Sequence, residues 1–190
     1  MAYTTNTLVK TLLGLSDSTD DTLLTNLIAQ AQSIIDAYTG CTFEASANTT
    51  RYFDAVQDVR GLVLRLGTDL CSIESITNGD GTTITSGQYV TEPRNGTPYH
   101  RIKLLQSAGV AWTYSTDPED AIAISGKWAY SESAPAGIVR ACQEMTVLFY
   151  RQRDTNSDLN RTIIAGNATI LPVGLSKTTE TYLRAMRRML

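Results

Sequence analysis

The sequence offers few of the side chains from which an active site is built. His100 is the only histidine, and it stands in the polar stretch YHRIKL, away from any metalloprotease, nucleophile-elbow or phosphate-loop motif. Catalysis requires a general base, an activated nucleophile or a bound metal, and no motif here supplies one. We therefore predict that His100 lies on the surface or edge of a strand and that the chain is not an enzyme.

Acidic and sulfur ligands are also poorly arranged for a cation. Asp117, Glu119 and Asp120 follow one another in a turn that lacks the alternating ligands and the glycine of a calcium loop. The three cysteines are widely spaced, at Cys41, Cys71 and Cys142. An odd, scattered set predicts neither a disulfide framework nor a zinc site, and it favours folding in a reducing cytoplasm. We predict no cofactor and no metal.

Charge is distributed unevenly along the chain, although the net charge is only -3. Residues 1–50 contain one base and five acids, 51–134 seven bases and ten acids, and 135–190 eight bases and four acids. An acidic front and a basic back suit head-to-tail contact between identical subunits, and an accident of the solvated surface is the alternative. No segment has the length and hydropathy of a membrane span.

The positive charge culminates in an arginine strip near the C-terminus. Arg184, Arg187 and Arg188 have the spacing of one helix face and could contact phosphates. The strip lacks a recognition-helix pattern and interleaved aromatic residues. Complementation of a helix C-terminus and contact with an acidic protein are the competing explanations. A nucleic-acid-binding accessory protein for DNA packaging therefore stays open, as does a carboxylate-based hydrolase using Glu74, Glu92 or Asp120.

The clearest structural pattern is an amphipathic helix from Asp20 to Gly40. Its acidic first residues suit the positive end of the helix dipole, and Gly40 has the C-terminal position that accepts positive φ. The apolar positions recur at intervals of three and four, at Leu24, Ile28, Ala31, Ile35 and Tyr38. This face must be buried against the rest of the chain or against another copy of it.

Two further helices accompany this one. A short helix containing Leu8 to Leu13 is predicted to begin at a cap, Asn6 or Thr7, and to end at Gly14. A second long helix is predicted to open at Ser133 and Pro135. Its apolar face consists of Ile138, Cys142, Met145 and Phe149. We expect this face to pack against the face of the first long helix.

Between the long helices the periodicity changes from helical to extended. The predicted strands are 49–54, 61–66, 71–77, 88–91, 99–104 and 121–130. The NGDGT turn at 78–82 predicts a hairpin in which Ile73–Thr77 pairs with Thr82–Thr85. The predicted class is α+β: a helical bundle of residues 1–44 and 131–153 and an inserted antiparallel β subdomain of residues 45–130.

Residues 154–190 are predicted to form a loop and a C-terminal docking helix. The loop covers 154–175, a length that is more often functional than idle. The helix is predicted over Ser176–Leu190, capped by Ser176 or Thr178. Its candidate docking residues are Tyr182, Leu183, Met186, Arg187 and Leu190, and packing of its apolar stripe in the core is the alternative.

The order of these pieces resembles a known family. A short helix and a long one, in LLGLSDSTDDTLLTNLIAQAQSIIDAYTG, precede a strand-rich stretch, and the succession from Trp128 to Arg153 follows, with WAY, a proline, a helix and YRQR. This arrangement is similar to the head-tail connector, or adaptor, family of long-tailed double-stranded DNA bacteriophages. The likeness covers most of the chain, but none of the shared pieces is a catalytic signature.

The resemblance implies a structural virion protein. Such proteins form a ring, commonly of twelve subunits, below the portal, where the ring extends the DNA channel and meets the next connector, stopper or tail protein. By this resemblance the two long helices pack within and between subunits, and the C-terminal helix docks on the portal. DNA would pass without sequence-specific binding. A DNA-packaging accessory protein remains the alternative.

Overall fold

The computed structural model describes residues 2–152 and 175–187 in full, and the backbone alone of residues 163–165 and 168–170. The described helices are α1 (Asn6–Leu13), α2 (Asp21–Thr39), α3 (Ala136–Gln152) and α4 (Lys177–Ala185), with a 3₁₀ turn at Gln106–Ala108. The strands are β1 (Thr49–Phe53), β2 (Val59–Arg60), β3 (Val63–Leu70), β4 (Ser72–Thr77), β5 (Tyr89–Glu92), β6 (Tyr99–Leu104), β7 (Ile122–Lys127), β8 (Ile163–Ala165) and β9 (Ala168–Ile170). The predicted α+β class is confirmed. None of the described helices has the length and apolar character needed to cross a membrane.

Close contacts divide the chain into two compact units. The described parts of residues 2–40 and 135–190 form one of them, which we call the helical unit. Residues 41–134 form the other, the β unit. All strand pairing in the β unit is antiparallel.

The β unit contains two sheets that share an apolar core. One sheet has the order β1-β7-β4 and the other the order β2-β3-β6-β5. Cross-strand partners such as Leu64 and Ile102, or Ile76 and Ile124, are buried in that core. Both sheets combine strands that are distant in sequence, which is why local patterns predicted the strands better than their pairing.

The predicted hairpin at 78–82 is present but short. The Asn78 amide donates to the Thr82 carbonyl oxygen (2.8 Å), the Ile84 amide donates to that of Ile76 (2.9 Å), and Thr77 and Thr83 form an isolated antiparallel bridge. Strand β4 also pairs with β7. The buried Asn78 side chain donates to the carbonyl oxygen of Ala111 (3.0 Å) and to Thr113 Oγ1 (3.0 Å), and it accepts from the Thr113 amide (3.1 Å). These bonds tie the turn to the 111–113 segment, so contacts distant in sequence reinforce the local hairpin.

The helix ends follow capping chemistry closely. Gly40 (φ 70) ends α2 and Gly14 (φ 73) ends α1, as predicted. The predicted cap of α1, Asn6 or Thr7, is wrong. Thr5 occupies the N-cap position, and its side chain accepts a hydrogen bond from the Leu8 amide. The Asn6 side chain donates instead to the Asp21 carbonyl oxygen (3.1 Å) and to Thr25 Oγ1 (3.0 Å), which joins α1 to α2.

The C-terminal region differs from its prediction in two respects. Ser176 caps α4 as expected, but the helix ends at Ala185, so a helix continuing toward Leu190 is wrong for residues 186–187. The segment predicted as a loop contains the β8–β9 pair, with Ile163 opposite Ile170. The sequence signal for this pair was a Gly-Asn dipeptide between two runs rich in branched residues. The rest of 153–174, and Leu190, lie outside the described residues.

Candidate assembly surfaces

The predicted apolar faces of the two long helices are largely buried within the helical unit. The buried members are Leu24, Ile28, Ala31 and Ile35 of α2 and Ile138, Cys142 and Met145 of α3. Phe149 is only half-buried. Burial raises the pKa of the Cys142 thiol to about 11, so this cysteine is protonated and acts as a small apolar side chain.

The N-terminal residues before α1 reinforce this pair of helices. Tyr3 is buried, and its hydroxyl donates to Asp36 Oδ1 on α2 (2.5 Å). Thr4 Oγ1 accepts from Gln143 Nε2 on α3 (3.2 Å). Burial raises the pKa of the Asp36 carboxyl, an effect that the Tyr3 hydrogen bond partly offsets. Sequence reasoning missed this contact because Tyr3 and Asp36 belong to no common periodic pattern.

An open apolar groove lies between α2, α3 and α4. Its volume is about 320 Å³. The lining residues are Ile34, Ile35, Tyr38, Met145, Leu175, Leu183, Glu180 and Arg184. Ile34 (41% exposed) and Tyr38 (42% exposed) are one helical turn apart on α2 and present apolar surface to solvent. Tyr38 is therefore placed at the surface, unlike the other predicted residues of the α2 face.

Helix α4 forms one wall of the groove and is attached to α3 through Glu144. Glu144 Oε2 accepts from Thr179 Oγ1 (2.7 Å) and from Ser176 Oγ (3.0 Å), while Oε1 accepts from Arg140 Nε (2.9 Å). Burial alone would raise the pKa of Glu144, but these hydrogen bonds together outweigh burial and lower it. Glu144 thus remains ionised and holds the first turn of α4.

The predicted docking residues of α4 fall into two groups. Leu183 is buried in the groove floor, and the Tyr182 ring lies so close to Gly137 that a Cβ atom there would overlap with it. Both contacts are made within this chain. Met186 is half-buried, and Arg187 is exposed with its guanidinium carbon 5.6 Å from the centre of the Tyr38 ring.

A second apolar surface lies on α1. Leu8 (48% exposed) and Leu12 (54% exposed) are one turn apart and point to solvent. Lys10, the one charged residue of this helix, is bound to Asp21 at 2.8 Å. The exposed face of α1 consequently consists of threonine and leucine: Thr7, Leu8, Thr11 and Leu12.

The residues considered for catalysis are not assembled into a recognisable centre. His100 is exposed on β6, with Nδ1 3.5 Å from Asp69 Oδ1. A carboxylate can orient an imidazole, but this contact alone contains no nucleophile or substrate site. Within the described ranges, no group of three or more His, Cys, Asp or Glu side chains is placed to hold a metal ion.

The sequence matches one protein family. Residues 7–65 match the phage gp6-like head-tail connector protein family. The predicted resemblance to head-tail connectors is confirmed for this segment, which is about a third of the chain. The match begins within α1, includes the whole of α2 and ends within β3. The matched segment therefore contains the Ile34–Tyr38 side of the groove and the exposed face of α1.

Two solved structures resemble this chain in fold over almost its whole length. One is a chain from the neck of an empty gene transfer agent particle computed with sixfold symmetry, with a TM-score of 0.55 and 15% identity over 97% of this chain and 90% of that one. The other is from the virion of a native gene transfer agent particle, with a TM-score of 0.51 and 13% identity over 97% of this chain and 89% of that one. At these identities the likeness concerns the fold. No curated protein matches the sequence.

Proposed function

We propose that the chain is a structural subunit of a head-tail connector, located in the neck of a phage or phage-like particle. The match of residues 7–65 to the gp6-like connector family carries this proposal. The neck and virion chains of similar fold support it, because their likeness extends beyond the matched segment to 97% of this chain. The role is mechanical rather than catalytic.

In the assembled state the chain forms a ring below the portal and extends the DNA channel. Twelve subunits are proposed, a number compatible with the sixfold symmetry used for the similar neck structure. Two separate exposed apolar surfaces in the helical unit support association, because a monomeric surface normally avoids such patches. DNA passes through the ring without sequence-specific binding.

Successive segments of the chain are proposed to make different contacts in the particle. Residues 1–44 and 131–153 form the ring-building bundle, and the inserted residues 45–130 face the neighbouring subunit, the next connector, a stopper or the tail. Residues 154–190 attach the subunit to the portal. Within α4 the exposed Arg187 and half-buried Met186 are the proposed contacts, while Tyr182 and Leu183 hold α4 in place and become available only if α4 moves.

Assembly of the purified full-length chain tests the proposal. Native mass spectrometry and electron microscopy, on the chain alone and with the portal protein of the same particle, should show closed rings of one uniform mass. A species that stays monomeric under both conditions would overturn the proposal.

DNA binding separates this proposal from the packaging-accessory alternative. A connector should show no appreciable affinity for duplex DNA in fluorescence anisotropy, even at low salt. Clear binding that weakens steeply as salt rises would instead indicate phosphate contacts by the arginines.

A further inference from the structure

Two exposed apolar surfaces lie in the helical unit, one on α1 and one at the groove between α2, α3 and α4. The α1 ridge, which we define as Leu8 and Leu12, projects two leucine side chains one turn apart. The α2–α4 groove, defined by the lining residues given above, is a depression edged by Ile34 and Tyr38. Residues four apart lie on the same helix face, so each surface is a contiguous strip rather than isolated side chains.

Helix geometry keeps these surfaces apart within one subunit. Helix α1 contacts α2 at Asp21 and Thr25, through Asn6 and Lys10. With 3.6 residues per turn, Asp21 and Thr25 flank the buried stripe of α2 on one side, and Ile34 and Tyr38 flank it on the other. The two sites are also roughly 20 Å apart along the helix axis. In the described structure, the α1 ridge therefore cannot cover the groove of its own subunit.

Polarity and charge favour contact between the two surfaces in different copies. The exposed face of α1 is uncharged, since Lys10 is bound to Asp21, and so it can enter an apolar groove without desolvating a charge. The turn after α1 contains the exposed Asp17. The groove lining includes the exposed Arg184 and one acid, Glu180, and the exposed Arg187 lies beside the Tyr38 ring at its edge. The ridge side is thus acidic and the groove side has a net positive charge.

We propose that the α1 ridge of one copy binds in the α2–α4 groove of the next copy. Because different surfaces of the same chain meet, the contact is heterologous, and its repetition produces a closed ring or an open filament. This inference rests on the proposed connector function and assigns the residues that join neighbours in the ring.

Cross-linking tests the contact directly. Leu12→Cys and Ile34→Cys are combined in a Cys41→Ser background, because Cys71 and Cys142 are buried whereas Cys41 is half-buried. A short bismaleimide should give a ladder of multimers on a denaturing gel, since each subunit then carries both halves of a head-to-tail contact. Each single-cysteine variant should stop at dimers. A double variant that gives nothing above dimers would overturn the inference.

Assembly of matched variants provides a second test. Leu8→Ser combined with Leu12→Ser should lower the yield of assembled rings at least tenfold while the monomer keeps its helical circular dichroism signal. Val56→Ser, which alters a similarly exposed apolar residue of the β unit, should assemble like the original chain. Unchanged assembly of the double serine variant would show that the α1 ridge is not the contact.

The two proposals can fail separately. Rings without a cross-linked ladder would keep the connector function and remove the interface assigned here. A ladder from a chain that forms only open filaments would keep the interface and contradict the ring. Loss of portal binding by Ile34→Asp, in a chain that gives no ladder, would assign the groove to the portal and overturn the inference.

Discussion

The β unit and the helical unit differ in where their exposed apolar side chains lie and in what surrounds them. In the β unit, both tryptophan indoles are bonded internally: Trp112 Nε1 donates to the Leu62 carbonyl oxygen (3.0 Å) and Trp128 Nε1 to that of Thr49 (2.9 Å). Its exposed large apolar residues come from a strand, a turn and a loop, at Tyr52, Val56 and Tyr114. Among the described residues of the helical unit, the exposed large apolar side chains occur as one-turn pairs on α1 and α2.

This difference indicates which apolar surface serves folding of the subunit and which is available for assembly. Scattered exposed apolar residues are ordinary on any protein, whereas pairs on one helix face beside an apolar groove provide a surface that a partner can bury. The β unit is thus closed by its own contacts, while the helical unit leaves part of its apolar surface uncovered. Substitutions that act on one unit, or on one face of one helix, can test this contrast.

The largest effect is expected at Ile35. This residue is fully buried in the α2–α3 contact, and Ile35→Asp would place an unpaired charge there at a cost of several kcal/mol, roughly 4 or more. The variant should lose most of its helical circular dichroism signal at 25 °C. We expect the free energy of unfolding, measured by urea titration, to become too small to determine.

The neighbouring Ile34 supplies the matched control. Ile34 is 41% exposed, so Ile34→Asp should change the free energy of unfolding by less than about 1 kcal/mol and yet prevent assembly. Equal destabilisation by the two variants would contradict the distinction between a buried face and an assembly face on α2.

A second substitution examines the closed packing of the β unit. Gly126 lies on β7, and a Cβ atom there would overlap with the Ser72 carbonyl oxygen and press on the Leu70 side chain. Gly126→Ala should therefore lower the free energy of unfolding by about 2–3 kcal/mol. Both tryptophans belong to this unit, so the transition can be followed by tryptophan fluorescence.

Gly87 is the control for this prediction. No atom outside its chain neighbours lies within 4 Å of a Cβ built at this position, and its φ is not in the left-handed region. Gly87→Ala should be neutral or stabilising by up to about 1 kcal/mol. Similar losses at both glycines would argue against close packing at the β4–β7 contact.

Sequence patterns predicted best those elements whose cause is local. The stripe from Leu24 to Ile35 and the terminal Gly40 define α2 because helical periodicity and a left-handed cap depend on neighbouring residues. The turn at Asn78 was predicted, but its anchoring was not, because the Asn78 side chain is bonded to Ala111 and Thr113, more than thirty residues away. A local hairpin signal contains no information about such a partner.

The candidate surfaces show the same limit. The periodic face of α4 left both docking and core packing open for Leu183, and the structure buries this residue beside α2 and α3. Nothing in the sequence marked Glu144, since its partners Ser176 and Thr179 lie on a distant segment. The exposure of Ile34 was not evident either, because Ile34 lies beside the stripe that contains Ile35 and extends it to one side.

The smallest predicted effect concerns the attachment of α4. Glu144→Gln replaces the carboxylate that accepts hydrogen bonds from Thr179, Ser176 and Arg140 with a neutral amide. Because the charge is lost, the α3–α4 contact should be less stable by about 1 kcal/mol at pH 7. Amide hydrogen exchange in α4 should accelerate correspondingly, with no change in the tryptophan fluorescence of the β unit. Glu180→Gln, on the exposed groove rim, is the control and should leave exchange in α4 unaffected.

The contribution of Glu144 to the α3–α4 contact should depend on pH in a definite direction. Because the folded pKa of Glu144 is lower than its ordinary value of 4.5, the contribution is complete above 4.5 and is lost as the pH falls through the folded pKa. The original chain and Glu144→Gln should therefore converge in α4 exchange protection as the solution is acidified. Asp36 acts in the opposite direction: its raised pKa favours the folded state at low pH, and this contribution declines as the pH rises through the folded value.

A constant difference between Glu144→Gln and the original chain from pH 7 to pH 3 would mean that the lost contacts are not those of an ionised carboxylate. The α4 wall of the groove would then depend on apolar packing by Leu183 and Tyr182 alone.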